Sequence, residues 1–229
     1  MADLPPMPWR LRVEGLVLIT LHWVDVERVR ALVPPELRIM RFLPGKTLGG
    51  LFLARYGPGS ELEYDELIVS GATVWHAGRP AAWATHLFVD EARSVEGGRT
   101  LLGAPKHLAP FARDEGAGHR VRVGEGDRPV CRVLHRGRLR LWRQRVRLAA
   151  LHRDVRDPSG RTVVAHGNEL RGRWGVTRAE VEIPERSPLQ GLGFGKPVLS
   201  LCGSGVEAVL GGAPFLPPRR LAVSPPGGA

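Results

Sequence analysis

Lysine is scarce in this sequence, although basic residues are abundant. Only three of the 33 lysine and arginine residues are lysines, namely Lys46, Lys106 and Lys196. Arginine supplies charge but forms no Schiff base, whereas a lysine whose surroundings lower its pKa presents a nucleophilic amine. Lys106 follows Pro105 and precedes His107 in an otherwise apolar run. It is either such an amine or an ordinary surface lysine at the end of a strand, and its rarity alone leaves both possibilities open.

Cysteine and long apolar runs are also scarce. Cys131 and Cys202 stand far apart, outside any Cys-x-x-Cys pair or zinc-type Cys/His spacing, which favours buried, reduced thiols. The apolar run 16–21 is too short to span a membrane, and the N-terminal residues lack a signal-peptide pattern. We therefore expect a protein of the reducing cytoplasm.

Acidic residues are outnumbered, and the formal net charge is +10. Such a charge attracts nucleic acid or anionic lipid, but no basic motif with interleaved aromatic residues is present. Arginines alternate with apolar residues from Arg138 to Arg147. This pattern suits either a platform for an anionic partner or the outward face of β-ribbons, and period-two alternation favours the second. We expect neither a nucleic-acid nor a membrane partner.

Glycine and proline, by contrast, are plentiful, with 29 and 20 residues spread along the chain. This composition is typical of short strands joined by turns, and at least about ten strands are predicted. The expected architecture is a closed barrel or a sandwich with one or two small helices. One domain is expected over residues 1–216, followed by a disordered Pro/Gly-rich tail at 217–229.

Individual elements follow from local patterns. A short helix is predicted at 26–32, with Asp25 as its N-cap. The segment 91–97 is either helical or irregular. Residues 64–69 and 72–76 form either consecutive strands or one bent strand.

Several motifs suggest other chemistry but lack the required context. Gly45-Lys46-Thr47 ends like a phosphate-binding loop, yet Met40 occupies the position of its first glycine. Gly191, Gly193 and Gly195 imitate a dinucleotide loop, but no helix-forming run follows. The eight histidines show no metal-binding spacing, and no serine has a nucleophile-elbow context. We therefore expect no metal and no cofactor.

The chain resembles the acetoacetate decarboxylase-like superfamily. The segments that carry the resemblance are Val33-Pro34-Pro35-Glu36-Leu37, Tyr64-Asp65-Glu66-Leu67, Leu87-Phe88-Val89-Asp90, the pairs Gly98-Arg99 and Pro105-Lys106, and 183–216 with Ser187-Pro188-Leu189 and Gly195-Lys196-Pro197. They occur in the family's order and reach to about Pro217. The combination of Gly-Arg and Pro-Lys is its most specific part.

The resemblance implies a mainly β (α+β) fold, a closed, antiparallel, cone-like β-barrel with a few short helices and an apolar internal cavity. Lys106 matches the family's Schiff-base lysine, and Glu66 matches its cavity glutamate, which acts in positioning and proton transfer. Tyr64, His107 and Arg12 are the residues implied to bind substrate. His107 stands where the parent decarboxylase has a second lysine, so that burial has to lower the pKa of the reactive amine.

The first functional hypothesis is a Schiff-base lyase that acts on a β-keto acid or a related carbonyl compound, by decarboxylation or by aldol or dehydration chemistry. The alternative is a non-catalytic binder of small carboxylates or carbonyl compounds on the same barrel. The resemblance further implies a homo-oligomer, a dimer or larger.

Overall fold

The computed structural model describes residues 4–114, 119–125, 128–137 and 142–211. Strands dominate. In chain order they are β1 (Trp9–Arg12), β2 (Leu16–Asp25), β3 (Arg38–Ile39), β4 (Lys46–Tyr56), β5 (Tyr64–His76), β6 (Arg79–Val89), β7 (Lys106–Leu108), β8 (Phe111–Asp114), β9 (His119–Glu125), β10 (Arg128–Arg136), β11 (Trp142–Arg153), β12 (Val163–Val176), β13 (Arg178–Glu182) and β14 (Leu199–Leu210). The helices are α1 (Val26–Arg30) and α2 (Ala92–Leu101), with a 3-10 turn at Gln190–Leu192.

Seven strands close into a barrel. They pair in the order β5-β4-β2-β14-β12-β11-β6, and β6 returns to β5. The predicted mainly β, closed barrel is confirmed. One seam differs from the antiparallel prediction, because β6 and β11 run parallel and make the ring mixed. The reason is topological, because α2 and the strands β7, β8, β9 and β10 lie between β6 and β11 in the chain, and parallel strands require such a long crossover.

A second, four-stranded sheet covers one outer wall of the barrel. Its order is β13-β10-β9-β8. Its inner residues Val121, Val123 and Val133 belong to the same buried cluster as Leu18 and Leu53 of the barrel. A separate cluster lies around Trp9 and both tyrosines of the chain, where β1 pairs with β14. This second cluster surrounds the site described below.

Three local predictions are resolved by the structure. The helix predicted at 26–32 is shorter, Val26–Arg30. Asp25 is its N-cap residue, as predicted, but the Asp25 carboxylate makes no capping hydrogen bond and pairs with Lys46 at 2.6 Å instead. The segment 91–97, predicted to be either helical or irregular, contains the N-cap and the first turns of α2. The stretches 64–69 and 72–76 are one strand, β5, with register shifts between Val69 and Ala72.

Several further expectations concern the surface and the cysteines. Cys131 and Cys202 are free and buried, as predicted. Arg145 and Arg147 are exposed and pair with Glu169, as expected for the outward face of a ribbon. Arg138 and the tail 217–229 lie outside the described residues.

The described residues contain neither a membrane-spanning helix nor a cluster of metal ligands. None of the helices in 4–114, 119–125, 128–137 and 142–211 is long and apolar enough to cross a membrane. No group of three or more potential metal ligands lies together in these same ranges.

Candidate active site

Lys106 is the first residue of β7 and points into the barrel. The strand runs parallel to β6, with Lys106 opposite Leu87. The Arg99 side chain of α2 donates to the Lys106 carbonyl oxygen at 2.9 Å and so ties β7 to the helix. Glu66 lies on β5 opposite Val89 of β6. β5 and β7 both pair with β6, and this arrangement brings together residues 40 positions apart in the chain.

The two side chains form a buried ion pair. Lys106 Nζ lies 2.8 Å from Glu66 Oε1, and the side chains are 2% and 1% exposed. Nζ also donates to Ser94 Oγ at 3.0 Å and to Tyr64 Oη at 3.4 Å. An ammonium has three N–H groups, so each finds an acceptor. A buried charge is tolerated only with such pairing.

Two tyrosines complete the cluster, and they are the only tyrosines in the sequence. Tyr56 Oη donates to Glu66 Oε2 at 3.1 Å. Burial and the Glu66 charge raise the pKa of both Tyr56 and Tyr64 well above its usual value, so both phenols stay protonated. Nζ lies 4.8 Å from the centre of the Tyr64 ring and 5.8 Å from that of Trp9, within the range of cation–π attraction.

A cavity of about 450 Å³ occupies the barrel interior next to this cluster. Its walls come from β2, β4, β5, β6, β11, β12 and β14, the strands that close the ring. Tyr56 is part of the wall, whereas Lys106 and Glu66 are not. Because Tyr56 also hydrogen-bonds Glu66, it lies between the cavity and the ion pair.

A buried lysine paired with a glutamate beside an apolar cavity is the arrangement that the sequence resemblance implied. A model of the family described as acetoacetate decarboxylase (ADC) matches residues 2–156, more than half of the chain. The chain belongs to the acetoacetate decarboxylase family. The match includes every residue of the Lys106 cluster.

Curated relatives match part of this chain in sequence, and solved structures share its fold. Protein NEOXANTHIN-DEFICIENT 1 of Oryza sativa subsp. japonica is 41% identical over 108 residues, which are 47% of this chain and 35% of that protein. The chain thus matches only about a third of this curated relative's length.

Solved structures share the fold at low identity. An acetoacetate decarboxylase from Legionella pneumophila subsp. pneumophila str. Philadelphia 1 superposes with a TM-score of 0.69 at 16% identity, covering 92% of this chain and 87% of its own. The enduracididine biosynthesis enzyme MppR, complexed with the condensation product of pyruvate and imidazole 4-carboxaldehyde, gives 0.67 at 19% identity, covering 96% and 91%.

Of the site residues predicted from the sequence, Lys106, Glu66 and Tyr64 come together, and two do not. His107 is exposed and lies 6.1 Å from Phe88, ring centre to ring centre. Neighbouring residues of a strand point to opposite faces, so His107 turns away when Lys106 faces inward. Arg12 is exposed on β1, where its backbone N–H donates to Ser60 Oγ. The structure therefore places His107 and Arg12 apart from the ion pair, and their role in substrate binding stays a prediction from the resemblance.

The sequence prediction missed Tyr56, Ser94 and Trp9. The scarcity of tyrosine is a signal that could have drawn attention to Tyr56, as the scarcity of lysine did for Lys106. Ser94 had no comparable signal, because it lies in α2, a segment that the sequence left open between helix and irregular structure. Trp9 is placed only by the pairing of β1 with β14.

Gly98 of α2 makes room for the lysine stem. A Cβ atom at this position would lie 2.6 Å from Lys106 Cδ and 3.1 Å from its Cγ and Cε. For the Schiff-base reaction proposed below, we predict that Gly98→Ala slows imine formation at Lys106 by about tenfold to a hundredfold, because displacing a reacting group by about 1 Å has effects of this size. Mass spectrometry of adducts trapped by borohydride measures the rate.

Gly191→Ala is the matched control, because a Cβ atom there meets no atom within 4 Å. Alanine is the better helix former by about 0.5–1 kcal/mol, so Gly98→Ala is not expected to unfold α2. An unchanged trapping rate in Gly98→Ala would show that the lysine stem does not need this space.

Proposed function

We propose that this protein is an enzyme whose Lys106 amine forms a Schiff base with a carbonyl compound. The observation that carries the proposal is the buried Lys106–Glu66 pair beside an apolar cavity. Tyr56 lines this cavity and hydrogen-bonds Glu66, so it connects the cavity with the pair. A lysine nucleophile needs a desolvated amine and a neighbouring group that takes its proton. Lys106 and Glu66 have this arrangement in a chain of the acetoacetate decarboxylase family.

Proton transfer within the pair starts the reaction. Glu66 Oε1 accepts a proton from Nζ across 2.8 Å, which leaves a neutral amine. The amine adds to the carbonyl carbon, and Glu66 passes two of the three ammonium protons in turn to the carbonyl oxygen, which leaves as water. The third proton stays on the imine nitrogen. The positive charge is thereby kept, and Glu66 ends as the carboxylate beside it.

The protonated imine then withdraws electrons from the adjacent carbon. A β-keto acid would lose CO2 at this stage, whereas another carbonyl compound would lose a proton to Glu66. Either route gives an enamine, which takes up a proton or attacks a second carbonyl carbon. The fold relative MppR is complexed with the condensation product of pyruvate and imidazole 4-carboxaldehyde, which supports attack of the enamine on a second carbonyl carbon.

Tyr56 controls the approach to the amine. It lines the cavity and donates to Glu66 Oε2, so a carbonyl group reaches Nζ when the phenol ring rotates. Its hydroxyl also fixes the orientation of the Glu66 carboxylate, because Oε2 is held while Oε1 faces Nζ.

The alternative, a protein that only binds a ligand carboxylate on Lys106, has less support. Glu66 already provides the counter-ion, and the three N–H groups of the ammonium already have acceptors. A homo-oligomer and a cytoplasmic location stay predictions from the sequence.

Borohydride trapping tests the proposal. The protein is incubated at neutral pH with β-keto acids, α-keto acids, aldehydes and methyl ketones, and is then reduced and digested for mass spectrometry. We expect a reduced adduct on Lys106 and none at that position in Lys106→Arg, which keeps the charge but forms no imine. The half-buried Lys46 and the exposed Lys196 are internal controls for non-specific reaction. A folded protein that forms no Lys106 adduct with any carbonyl compound would refute the enzyme proposal.

A further inference from the structure

We infer that the substrate is an uncharged aldehyde or ketone with an extended apolar body, and not a small keto acid. This inference rests on the proposed Schiff-base function and concerns the part of the substrate that does not react. It is carried by the lining, the charge and the volume of the barrel cavity.

The cavity wall is predominantly apolar. Apolar side chains from six strands of the ring contribute to it, among them Leu21, Phe52, Ile68, Leu148, Leu170 and Leu210. Leu148 lines the cavity and pairs across the sheet with Asn168, another residue of the wall. Its side chain is nevertheless 36% exposed. An exposed leucine that faces a cavity is a favourable contact for an apolar ligand, since covering it removes apolar area from water.

The cavity also lacks a counter-ion for a carboxylate. Among the described residues that line it, Arg147 is the one with a charged side chain, and its guanidinium donates to Glu169 Oε2 at 3.1 Å on the exposed face of the sheet. The ammonium beyond Tyr56 is already paired with Glu66. A keto-acid carboxylate would therefore be desolvated without a partner and would approach the Glu66 charge, and both effects oppose binding.

The volume of the cavity also favours a ligand larger than a small keto acid. A cavity of about 450 Å³ falls in the range of sites that enclose drug-sized ligands, about 300–1,000 Å³. A keto acid as small as acetoacetate would leave most of this apolar wall in contact with water. A ketone with a long hydrocarbon chain would cover it. Asn168 and Ser70 are the polar side chains available to a second polar group on such a ligand.

A matched pair of ligands tests the inference. 2-Decanone and 9-oxodecanoic acid carry the same methyl ketone on chains of the same length, and only the second ends in a carboxylate. We expect trapping on Lys106 by borohydride to be at least about tenfold faster with 2-decanone at equal concentration, because an unpaired carboxylate has to be buried in the other case. Acetoacetate and pyruvate are expected to react more slowly than 2-decanone.

A charge-insertion variant assigns the preference to this cavity. Leu148→Arg places a cation in the wall and is expected to lower the preference for 2-decanone over 9-oxodecanoic acid by at least about tenfold. The control is Leu199→Arg, since Leu199 is 38% exposed on β14 and does not line the cavity. It is expected to keep the natural preference.

The outcomes separate the two proposals. Adducts that form equally well or better with the keto acids would overturn the apolar-substrate inference and leave Schiff-base chemistry in place. A preference for 2-decanone that Leu148→Arg and Leu199→Arg both leave unchanged would also overturn it, because the cavity would not be the cause. No adduct on Lys106 with any of these compounds would overturn the proposed function and this inference with it.

Discussion

The variant Glu66→Leu is expected to have a free energy of unfolding about 3–5 kcal/mol lower than the natural sequence, because it leaves the buried ammonium of Lys106 without its counter-ion. Lys106→Met is expected to have an effect of similar size, since it leaves the buried Glu66 carboxylate without its counter-ion. Both side chains are almost fully buried, so water cannot replace the lost partner. Urea unfolding at pH 7, followed by the fluorescence of the six tryptophans, measures these changes.

The double variant Glu66→Leu/Lys106→Met is the decisive comparison. Removing both charges removes both desolvation penalties, and apolar replacements of buried ion pairs are often neutral or stabilising. We therefore expect the double variant to be more stable than either single variant. Losses that simply add would show that the two charges do not interact, and the pair would then have no part in holding β5 to β7. Trapping on Lys106 is expected to be lost in the double variant whatever its stability.

Acidification from pH 6.5 to pH 4 is expected to lower the free energy of unfolding by about 3 kcal/mol through His152 alone. Burial is the main cause that lowers the pKa of His152 to about 4 in the folded protein, from 6.5 for the free side chain. Its ring stacks on His166 at 4.9 Å and its Nε2 is buried without a hydrogen-bond partner. Protonation would place a charge in this environment, with Asp154 already paired to Arg156.

Proton binding determines whether acid raises or lowers the free energy of unfolding. Between pH 4 and 6.5 the unfolded chain binds a proton at His152 and the folded chain does not, so stability falls as the pH falls and is fully present above 6.5. The pKa of His166 is lowered by burial as well and acts in the same direction. Urea midpoints measured from pH 7 to pH 4 should show a smaller slope in His152→Leu.

His107→Gln is the control for this prediction, because His107 is exposed. It is expected to keep the pH dependence of the natural sequence. If His152→Leu lost stability with acid as steeply as the natural sequence does, the loss would have to come from other groups and the interpretation of His152 would be wrong.

The sequence predicted the reactive pair better than its surroundings. Lys106 and Glu66 could be predicted because each lies in a short motif of the family. His107 and Arg12 were assigned by alignment alone, and strand geometry places both outside: Leu11 is buried and Arg12 exposed, just as Lys106 is buried and His107 exposed. The alternation that helped to predict the strands would have excluded His107 as a partner, had it been applied to the site.

Tyr56 illustrates what sequence patterns leave out. It pairs in register with Tyr64 across the hairpin of β4 and β5, and this register places the Tyr56 hydroxyl on Glu66 and the Tyr64 hydroxyl on Lys106. Ser94 reaches Nζ only because α2 packs over the end of the barrel next to β7. Neither contact could be predicted from the spacing of the residues, because register shifts and helix placement depend on packing of the whole barrel.

The sequence by itself determined the strand-rich composition and the two free cysteines, since alternation and turn residues are local properties of the chain, and its family motifs selected the closed barrel and Lys106. The tertiary structure alone decided that three acceptors surround the ammonium, that Tyr56 stands between it and the cavity, and that the cavity wall is predominantly apolar, with Arg147 as the charged residue among the described residues that line it. These features arise from side chains on many separate strands, and only closure of the ring brings them within a few ångströms. Lys106 is therefore recognisable in the sequence, and its substrate preference depends on the closed barrel.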